Sequence, residues 1–354
     1  MTSLLEQSLV DIWKFTLGLE NIGMEETFNS LGGGSMLALA TVGQLRQRLG
    51  WEMALGDFLR RPTLTEMLED SPTCQLVNDS TAVVRFSNRG SKTPIVFVHP
   101  ADGLVLVYAK LAHLLGLDRG CYGLQSAVFA GETLPESLDA QAELYADLLY
   151  AEFGEDEFHL IGWSTGGVLA YEIARCASDK GLNLLQLGLI DADIPSQINE
   201  SRGADALLTQ LYEDLRPQIS SDWPAPTAGL SSECSVTKKD LARLLFGREP
   251  REDASSSVYA FIDDLLATYA AQVELLRDYA PQPLNSASPG FVLQSEPGST
   301  KTDWITQSND EMRFARISAG ANGLSSKDGA VEIASLIELN LELHTTRVES
   351  LERR

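Results

Sequence analysis

Ser164 stands in a sequence that could make it a nucleophile. It is the central residue of Gly-Trp-Ser-Thr-Gly, which follows the apolar run 158–161 and precedes the apolar run 168–174. A strand that turns sharply into a helix lifts such a serine out of the fold, and flanking glycines avoid clashes within the strained turn. The sequence therefore predicts a strand–turn–helix unit that presents the Ser164 hydroxyl for attack on an acyl group.

Ser35 is a second serine in a position suited to chemistry. Three glycines precede it, and the amphipathic run 36–49 follows it. The glycines allow a tight turn, and the free N–H groups and dipole at the start of a helix favour a phosphodiester on the hydroxyl. A modified serine is one interpretation, and an ordinary N-cap after a flexible turn is the other.

Asp191 and Asp193 are the candidate acids. Both follow the apolar run 184–190, which is typical of a buried strand. A carboxylate at the carboxyl end of a strand can reach the crevice in which sites form on open parallel sheets. Asp191 is the preferred acid and Asp193 the substitute, while a solvated turn aspartate is the alternative interpretation.

The candidate bases are few. The histidines of the chain are His99, His113, His159 and His344. A triad in the chain order Ser, Asp, His needs a histidine after the last strand. Only His344 meets this requirement, and it falls within a predicted final helix, 328–352. The other three are expected to be structural or to fill core and surface positions, with His99 structural rather than catalytic.

The elements that must position these residues fall into two groups. Residues 3–70 have apolar side chains at helical spacing, which predicts a small helical bundle. Turn-forming residues dominate 71–92, which we interpret as a linker and an edge strand. From Pro94 onward, apolar runs alternate with helical patterns, which predicts a doubly wound parallel sheet. The alternation pauses between about 195 and 281, and this stretch is interpreted as a helical insertion over the sheet.

The individual elements of the second group can be read from the same patterns. The predicted strands are 95–98, 121–124, 158–161, 184–190, 291–294 and 313–317. The predicted helices are 104–115, 134–153, 166–180, 204–215, 237–246, 258–279 and 328–352.

Composition limits the classes of partner. The net charge of −23 over 354 residues argues against nucleic acid and anionic membrane surfaces, and it suits a positively charged partner face. Four cysteines without C-x-x-C spacing indicate neither a zinc site nor a disulfide framework. No metal is therefore predicted, and a reducing cytoplasm is the simplest compartment. No apolar run is long enough for a membrane span, and no secretory signal is evident.

The first group of elements resembles a peptidyl carrier domain over residues 3–70. The motifs that carry the resemblance are Glu26-Thr27-Phe28, Leu31-Gly32-Gly33 and Arg61-Pro62-Thr63-Leu64, placed around Ser35. The resemblance implies that 4′-phosphopantetheine is attached to Ser35 and that a phosphopantetheinyl transferase loads it. Gly34 departs from the family, which usually has His or Asp just before the serine.

The second group resembles the type I thioesterases of fatty-acid and peptide synthetases. The segment 99–103, His-Pro-Ala-Asp-Gly, and the Gly-x-Ser-x-Gly elbow at Ser164 carry the resemblance. It implies an α/β-hydrolase fold with a helical lid over an acyl chamber. It also implies that the backbone N–H groups of Ala101 and Thr165 form the oxyanion hole and that Asp191 is the triad acid.

Asn322 stands where the thioesterase family has its catalytic histidine, after the predicted strand 313–317. An amide cannot accept the proton of Ser164 at a useful pKa. At about 1.5 Å per helical residue, His344 would lie roughly 30 Å further along the chain. Either the chain carries a disabling change, of the kind introduced to trap an acyl intermediate, or its chemistry departs from the family.

Over nearly its whole length the chain resembles the C-terminal carrier and thioesterase pair of a nonribosomal peptide synthetase. The resemblance implies that upstream condensation and adenylation domains build a peptidyl thioester on Ser35 and that Ser164 releases it by hydrolysis or cyclisation. The implied domains are a carrier at 1–70, a linker and edge strand at 71–92, and an α/β-hydrolase thioesterase at 93–354. Two alternatives stay open: a non-catalytic acyl-binding gate, and a separate serine hydrolase fused to a helical bundle.

Overall fold

A computed structural model of the chain describes most of its residues. The described residues are 4–49, 55, 58, 63–69, 82–88, 90–116, 118–130, 132–192, 204–216, 236–246, 255–277, 279–284, 289–295, 304, 312–318, 324 and 326–352. The predictions for Asp193 and Asn322 lie outside the described residues, as do those for the side chains of Ser35, His113 and His344.

The described amino-terminal part of the chain is helical. Its helices are α1 (Leu4–Leu17), α2 (Ser35–Leu49) and α3 (Leu64–Glu69). The Trp13 ring lies edge-on to Phe28, with 4.9 Å between centroids, and Phe28 lies edge-on to Phe58 at 4.8 Å. All three rings are buried, so this aromatic cluster forms the core of the bundle. The described helices agree with the prediction of a small all-helical unit.

A seven-stranded sheet forms the centre of the rest of the chain. Its strands are β1 (Val83–Asn88), β2 (Lys92–Val98), β3 (Arg119–Leu124), β4 (Glu157–Trp163), β5 (Asn183–Ile190), β6 (Gly290–Gln294) and β7 (Met312–Arg316). Their order is β1-β3-β2-β4-β5-β6-β7, and every pair of neighbours is parallel except β1 and β3. The inner strands are continuous apolar runs because both faces of a parallel sheet are covered. The predicted parallel sheet with an edge strand is confirmed.

Helices cover the sheet and form the insertion. They are α4 (Ala109–Leu115), α5 (Leu138–Phe153), α6 (Thr165–Ala177), α7 (Ala204–Leu215), α8 (Lys238–Phe246), α9 (Ser255–Leu276) and α10 (Lys327–Glu352). Helix α5 packs against α6, and α4 packs against α10. The insertion helices α7, α8 and α9 contact one another, and α8 also contacts α2 of the bundle. Within the described part of the chain, no helix has both the length and the apolar composition needed to cross a bilayer.

Two helices begin later than the sequence predicted. The run 104–115 opens with a 3₁₀ turn at Leu106–Tyr108. The Asp102 carboxylate holds this region in a turn because it accepts the Leu104 N–H at 2.7 Å. Helix α5 begins after Ser137, which is its N-cap. The backbone of Ser137 is extended, and its hydroxyl accepts the Ala140 N–H at 3.1 Å.

The chain changes direction across the sheet at β2. The connection after β2 leads to β3 on one side, and the connection after β3 leads to β4 on the other side. The chain thus leaves β2 and β4 towards opposite sides of the sheet, and open α/β sheets bind ligands at the carboxyl ends of strands related in this way. Val98 pairs with Gly162, so the last residues before these two loops are neighbours.

Candidate active site

Ser164 sits on a strained turn between β4 and α6. Its backbone has φ 54° and ψ −130°, a conformation that residues with a side chain rarely adopt. The Ser164 N–H donates to the Ile190 carbonyl, and the Gly167 N–H donates to the Ser164 carbonyl, both at 2.9 Å. The Ser164 side chain does not cap α6, so its own helix makes no use of the hydroxyl. The strand–turn–helix unit predicted around Ser164 is present.

Two glycines allow the serine elbow to pack on the end of β2. A Cβ on Gly162 would lie 2.1 Å from the Gly166 carbonyl oxygen. A Cβ on Gly166 would lie 2.5 Å from the Val98 carbonyl oxygen and 2.7 Å from that of His99. These separations leave no room for a side chain at either position. The elbow backbone is therefore in direct contact with the start of the turn after β2.

The turn after β2 is anchored at both ends. The His99 N–H donates to the Leu124 carbonyl at 3.0 Å, and the Gly103 N–H donates to the Pro100 carbonyl at 2.9 Å. Gly103 has φ +79°, in the left-handed region that favours glycine. Ala101 is buried between these anchors, and no described group accepts its N–H. An unused backbone donor beside a serine elbow is what an oxyanion hole requires.

His99 is buried, and both of its ring nitrogens are engaged. Nδ1 lies 2.7 Å from the Pro100 carbonyl oxygen, and Nε2 lies 2.8 Å from the Tyr145 hydroxyl. Burial lowers the pKa of His99 to about 4, so the ring is neutral near pH 7. Neither nitrogen is available to take a proton from Ser164, which agrees with the structural role expected for this residue.

No other histidine with a described side chain is placed to act as the base. His159 is buried in the first half of β4, while Ser164 follows the carboxyl end of that strand. At about 3.3 Å per extended residue, the two are roughly 16 Å apart. The backbone at His113 and His344 is helical, as predicted.

Asp191 follows β5 and is held by the end of β6. Its backbone has φ 43°, which aspartate tolerates better than most residues. Its N–H donates to the Leu293 carbonyl at 2.8 Å. Its Oδ1 accepts the Ser295 N–H at 2.7 Å and the Ser295 hydroxyl at 2.9 Å. These two donors orient the carboxylate at the carboxyl edge of the sheet. Ser295 was not predicted, and its only signal was a polar residue directly after a strand.

Tyr108 joins β2 to β4 at the edge of the site. Its hydroxyl donates to the Val98 carbonyl at 2.8 Å and accepts the Trp163 N–H at 2.7 Å. Its ring stacks on Phe97, with 4.8 Å between centroids. The hydroxyl therefore connects Val98, which precedes the turn that carries Ala101, to Trp163, which precedes Ser164. A tyrosine within an apolar helical run carried no sequence signal of this role.

Ser35 is the first residue of α2, and Gly34 occupies the N-cap position. The Gly34 carbonyl accepts the Ala38 N–H at 2.9 Å, which is the first hydrogen bond of the helix. Gly33 is required because a Cβ there would lie 2.1 Å from the Phe28 ring. The backbone thus disfavours the interpretation of Ser35 as an ordinary N-cap.

The structure gathers four predicted site residues at one edge of the sheet. Ala101 follows β2, Ser164 and Thr165 follow β4, and Asp191 follows β5. These three strands are consecutive neighbours, and all run parallel, so their carboxyl ends meet. A serine elbow between the turn that carries Ala101 and a carboxylate, on a sheet of this order, is typical of an α/β-hydrolase.

Comparison with known families makes the assignment more specific. The chain belongs to the thioesterase domain family, which matches residues 93–341. The phosphopantetheine attachment site family matches residues 7–70. The amino-terminal bundle is therefore a carrier domain to which 4′-phosphopantetheine is attached covalently, and the domain that follows is a thioesterase. The order of the two domains is the one that the sequence motifs indicated.

The similar proteins are nonribosomal peptide synthetases. The chain is 33% identical to the dimodular nonribosomal peptide synthase of Bacillus subtilis (strain 168) over 190 residues, which are 53% of this chain and 8% of that protein. It is 27% identical to malpinin synthetase of Mortierella alpina over 190 residues, 53% of this chain and 2% of that protein. The matched part thus covers less than a tenth of the length of these relatives.

Solved structures share the fold. Holo-AB3403, a four-domain nonribosomal peptide synthetase bound to AMP and glycine, matches 96% of this chain and 26% of its own, with a TM-score of 0.61 and 20% identity. The wild-type Vlm2 thioesterase domain matches 72% of this chain and 96% of its own, with a TM-score of 0.56 and 21% identity. At these identities the likeness concerns the fold.

Proposed function

We propose that this chain terminates nonribosomal peptide synthesis. A peptidyl thioester carried on Ser35 passes to Ser164, and the acyl-enzyme is released by hydrolysis or by cyclisation. The observation that carries the proposal is the direct packing of the Ser164 elbow on the turn that holds Ala101, in a chain that also has an attachment domain. The proposed boundaries are 1–70 for the carrier, 71–92 for the linker and edge strand, and 93–354 for the thioesterase, with a lid at about 195–281.

Ser35 is the residue proposed to hold the phosphopantetheine. Its backbone begins α2, where free N–H groups and the helix dipole favour a phosphodiester. When bound, the group supplies a thiol that carries the peptidyl chain as a thioester. Attachment requires only the serine hydroxyl, so the departure at Gly34 affects recognition by partners and not the linkage itself.

The chemistry proposed at Ser164 is acyl transfer. The serine oxygen attacks the thioester carbonyl, a C–O bond forms, and the C–S bond breaks as the sulfur leaves with a proton. The N–H groups of Ala101 and Thr165 stabilise the oxyanion of the tetrahedral intermediate by several kcal/mol. Water, or a nucleophile within the peptide, then attacks the ester and restores the Ser164 hydroxyl.

This chemistry requires a base that accepts the proton of the Ser164 hydroxyl. Asp191 can orient a neighbouring base and stabilise its charge, but the acid of a triad does not itself take the proton. Asn322, proposed to stand in the position of the base, cannot accept the proton. We therefore propose that the chain, as its sequence stands, is an impaired or trapped form. Loss of a triad histidine can cost about 10⁶-fold in kcat, while oxyanion-hole catalysis persists.

A non-catalytic acyl-binding gate is the second candidate function. The specific observation in its favour is the asparagine at 322, the position at which we expect the base of Ser164. In that function Ser164 would hold or shield the acyl chain and would not release it. A separate serine hydrolase fused to an unrelated bundle is disfavoured, because the phosphopantetheine attachment family matches the bundle.

The proposed function implies partners and a compartment. Condensation and adenylation domains would build the peptide, and a phosphopantetheinyl transferase would load Ser35. The net charge of −23 disfavours nucleic acid and membrane surfaces as partners. Cys121 and Cys176 are free thiols in the described part of the chain, which supports the reducing cytoplasm as the compartment.

Intact-protein and peptide mass spectrometry test the proposal. A phosphopantetheinyl transferase and an acyl-coenzyme A load the carrier, and the position of the acyl group is then followed with time. We expect slow transfer from Ser35 to Ser164, and in Ser164→Ala the acyl group should stay on the carrier. Ser178→Ala, at an exposed serine just after α6, is the matched control and should transfer normally. Loading without transfer to Ser164, both in this chain and in Asn322→His, would contradict the proposal and favour the gate.

A further inference from the structure

The turn that carries Ala101 is held by a chain of buried side chains from outside the site. Gln141 and Tyr145 lie on α5, which supplies none of the proposed catalytic groups, and they are fully buried. Gln141 Nε2 lies 3.3 Å from the Tyr145 oxygen, which lies 2.8 Å from His99 Nε2. His99 Nδ1 in turn lies 2.7 Å from the Pro100 carbonyl oxygen. This series of hydrogen bonds therefore ends at Pro100, the residue before Ala101.

The donors and acceptors in this series of hydrogen bonds have one consistent assignment. The Pro100 carbonyl can only accept, so His99 Nδ1 carries a proton. Burial lowers the pKa of His99 to about 4, so the ring is neutral and its Nε2 is an acceptor. Tyr145 must then donate its O–H to Nε2. Burial raises the pKa of Tyr145 to about 12, so this proton is present. The Gln141 amide donates to the Tyr145 oxygen.

The last hydrogen bond of the series fixes the peptide plane between Pro100 and Ala101, which contains the proposed oxyanion donor. The Pro100 carbonyl and the Ala101 N–H belong to one planar trans peptide and point in opposite directions. The carbonyl accepts the His99 Nδ1–H at 2.7 Å and the Gly103 N–H at 2.9 Å. Because both lone pairs are engaged, the plane cannot rotate without breaking two buried hydrogen bonds. The direction of the Ala101 N–H is therefore set by what the carbonyl accepts.

We infer that Tyr145 is a positioning residue for the oxyanion hole and acts through His99. Its O–H holds the imidazole in the tautomer and rotamer that donate to the Pro100 carbonyl. This hydrogen bond fixes the peptide plane and so the direction of the Ala101 N–H. The ring of Tyr145 also packs edge-on to His99, with 5.6 Å between centroids. The inference rests on the proposed function, because it takes Ala101 as an oxyanion donor. A donor fixed before the reaction needs no reorganisation as the oxyanion forms.

The kinetic test uses the full chain with Asn322→His, so that turnover is measurable. Tyr145→Phe keeps the ring and deletes the hydroxyl. Tyr171→Phe is the matched control, since it deletes another buried tyrosine hydroxyl, which donates to the Gln282 carbonyl at 2.8 Å. With an acyl N-acetylcysteamine thioester, we expect Tyr145→Phe to lower kcat roughly tenfold, part of the loss seen when a donor is removed outright. KM should stay unchanged, and Tyr171→Phe should change neither constant.

Two variants of His99 test the route of the effect. Asparagine can place an N–H donor close to the position of Nδ1, whereas alanine supplies none. We expect His99→Ala to lower kcat at least as much as Tyr145→Phe and His99→Asn to recover part of the loss. Equal kcat in the two His99 variants would overturn the route through the Pro100 carbonyl.

The amide signal of Ala101 separates this inference from the proposed function. In protein labelled with ¹⁵N-alanine, the signal is assigned by its loss in Ala101→Gly. We expect it to shift in Tyr145→Phe and to stay in place in Tyr171→Phe, whatever the turnover. An unmoved signal in Tyr145→Phe, or an equal fall of kcat in Tyr171→Phe, would overturn the inference. A shifted signal with unchanged kcat would uphold the positioning by Tyr145 and overturn the role of Ala101 in the proposed function.

Discussion

At the scale of single residues, the buried ring of His99 links the geometry of the site to pH. Its pKa in the folded chain is about 4, below the ordinary value of 6.5, because burial disfavours the imidazolium ion. Between these two values the unfolded chain binds more protons at this residue than the folded chain does. His99 therefore lowers the free energy of unfolding as pH falls from 6.5 towards 4, by about 3 kcal/mol when fully realised.

His99→Asn should remove this titration. We expect the free energy of unfolding to fall more steeply for the unsubstituted chain than for the variant as pH drops from 6.5 to about 4.5. The difference in slope should approach about 1.4 kcal/mol per pH unit, which corresponds to one proton. Urea denaturation at several pH values measures both slopes, and other titrating groups contribute equally to both chains. Parallel slopes would contradict a buried neutral His99.

Ser35 is the residue that tests the carrier assignment. A phosphopantetheinyl transferase and coenzyme A should add one phosphopantetheine to the chain, because Ser35 begins a helix after a glycine-rich turn in the matched attachment domain. Intact mass should show a single increase that disappears in Ser35→Ala. Ser30→Ala, at an exposed serine of the preceding turn, is the control and should be labelled fully. Labelling that survives in Ser35→Ala would place the attachment site elsewhere.

Gly166 sets how closely the elbow approaches β2. In Gly166→Ala the new Cβ would meet the Val98 carbonyl oxygen at 2.5 Å, so the elbow or the strand must shift. We expect a loss of about 2–3 kcal/mol in the free energy of unfolding, as for other overpacked sites. Gly43→Ala, on a face of α2 with nothing within 4 Å of the new Cβ, should instead stabilise its domain by about 0.5–1 kcal/mol. Calorimetry can follow both, and an unchanged transition in Gly166→Ala would refute the close packing.

At the scale of elements, the lid should be the least rigid part of the thioesterase. Strand β4 pairs with a neighbour on each side, whereas α7, α8 and α9 pack mainly on one another and lie in an insertion between strands. Local opening of the lid helices should therefore cost less free energy than opening of the sheet. Hydrogen exchange should be faster in α7 and α8 than at 158–161. Equally slow exchange in both would argue against a mobile lid.

The strands could be predicted because each inner strand is buried on both faces and so appears in the sequence as a continuous apolar run. The serine elbow and Asp191 could be located for a related reason, since each directly follows such a run. Helix starts were less predictable. The 3₁₀ turn at Leu106–Tyr108 and the N-cap at Ser137 depend on side-chain hydrogen bonds to the backbone, which an apolar pattern does not record.

The supporting residues of the site could not be predicted from the sequence. Tyr108 contacts Trp163, and Tyr145 contacts His99, across the fold and far apart in the chain. Their partners become known only when the sheet order and the helix positions are known. Ser295 is similar, because its partner Asp191 lies on a different strand. The identity of Asn322 was readable from the sequence, but its role as the replacement for a histidine stays a prediction.

At the scale of the whole molecule, the carrier and the lid are in contact. Helix α2, which begins at Ser35, packs against lid helix α8. The attachment domain therefore contacts the helical insertion of the thioesterase domain through α8. The net charge of −23 favours partners with a positive face, and their association should weaken as salt screens the charges.

The central claim is that this chain is a carrier and thioesterase pair in which Ser164 releases the acyl group and residue 322 decides the rate. Its most direct test is the rate of product release from an acyl thioester. Release by the chain as it stands should be near background, because no histidine with a described side chain is placed to act on Ser164 and Asn322 is proposed to stand in the position of the base.

Asn322→His should raise the rate by orders of magnitude, since loss of a triad histidine can cost about 10⁶-fold in kcat. Ser164→Ala in that background should abolish the gain, which shows that the release passes through the elbow. Robust turnover with Asn322 in place, lost in His344→Ala, would contradict the account and make His344 the base.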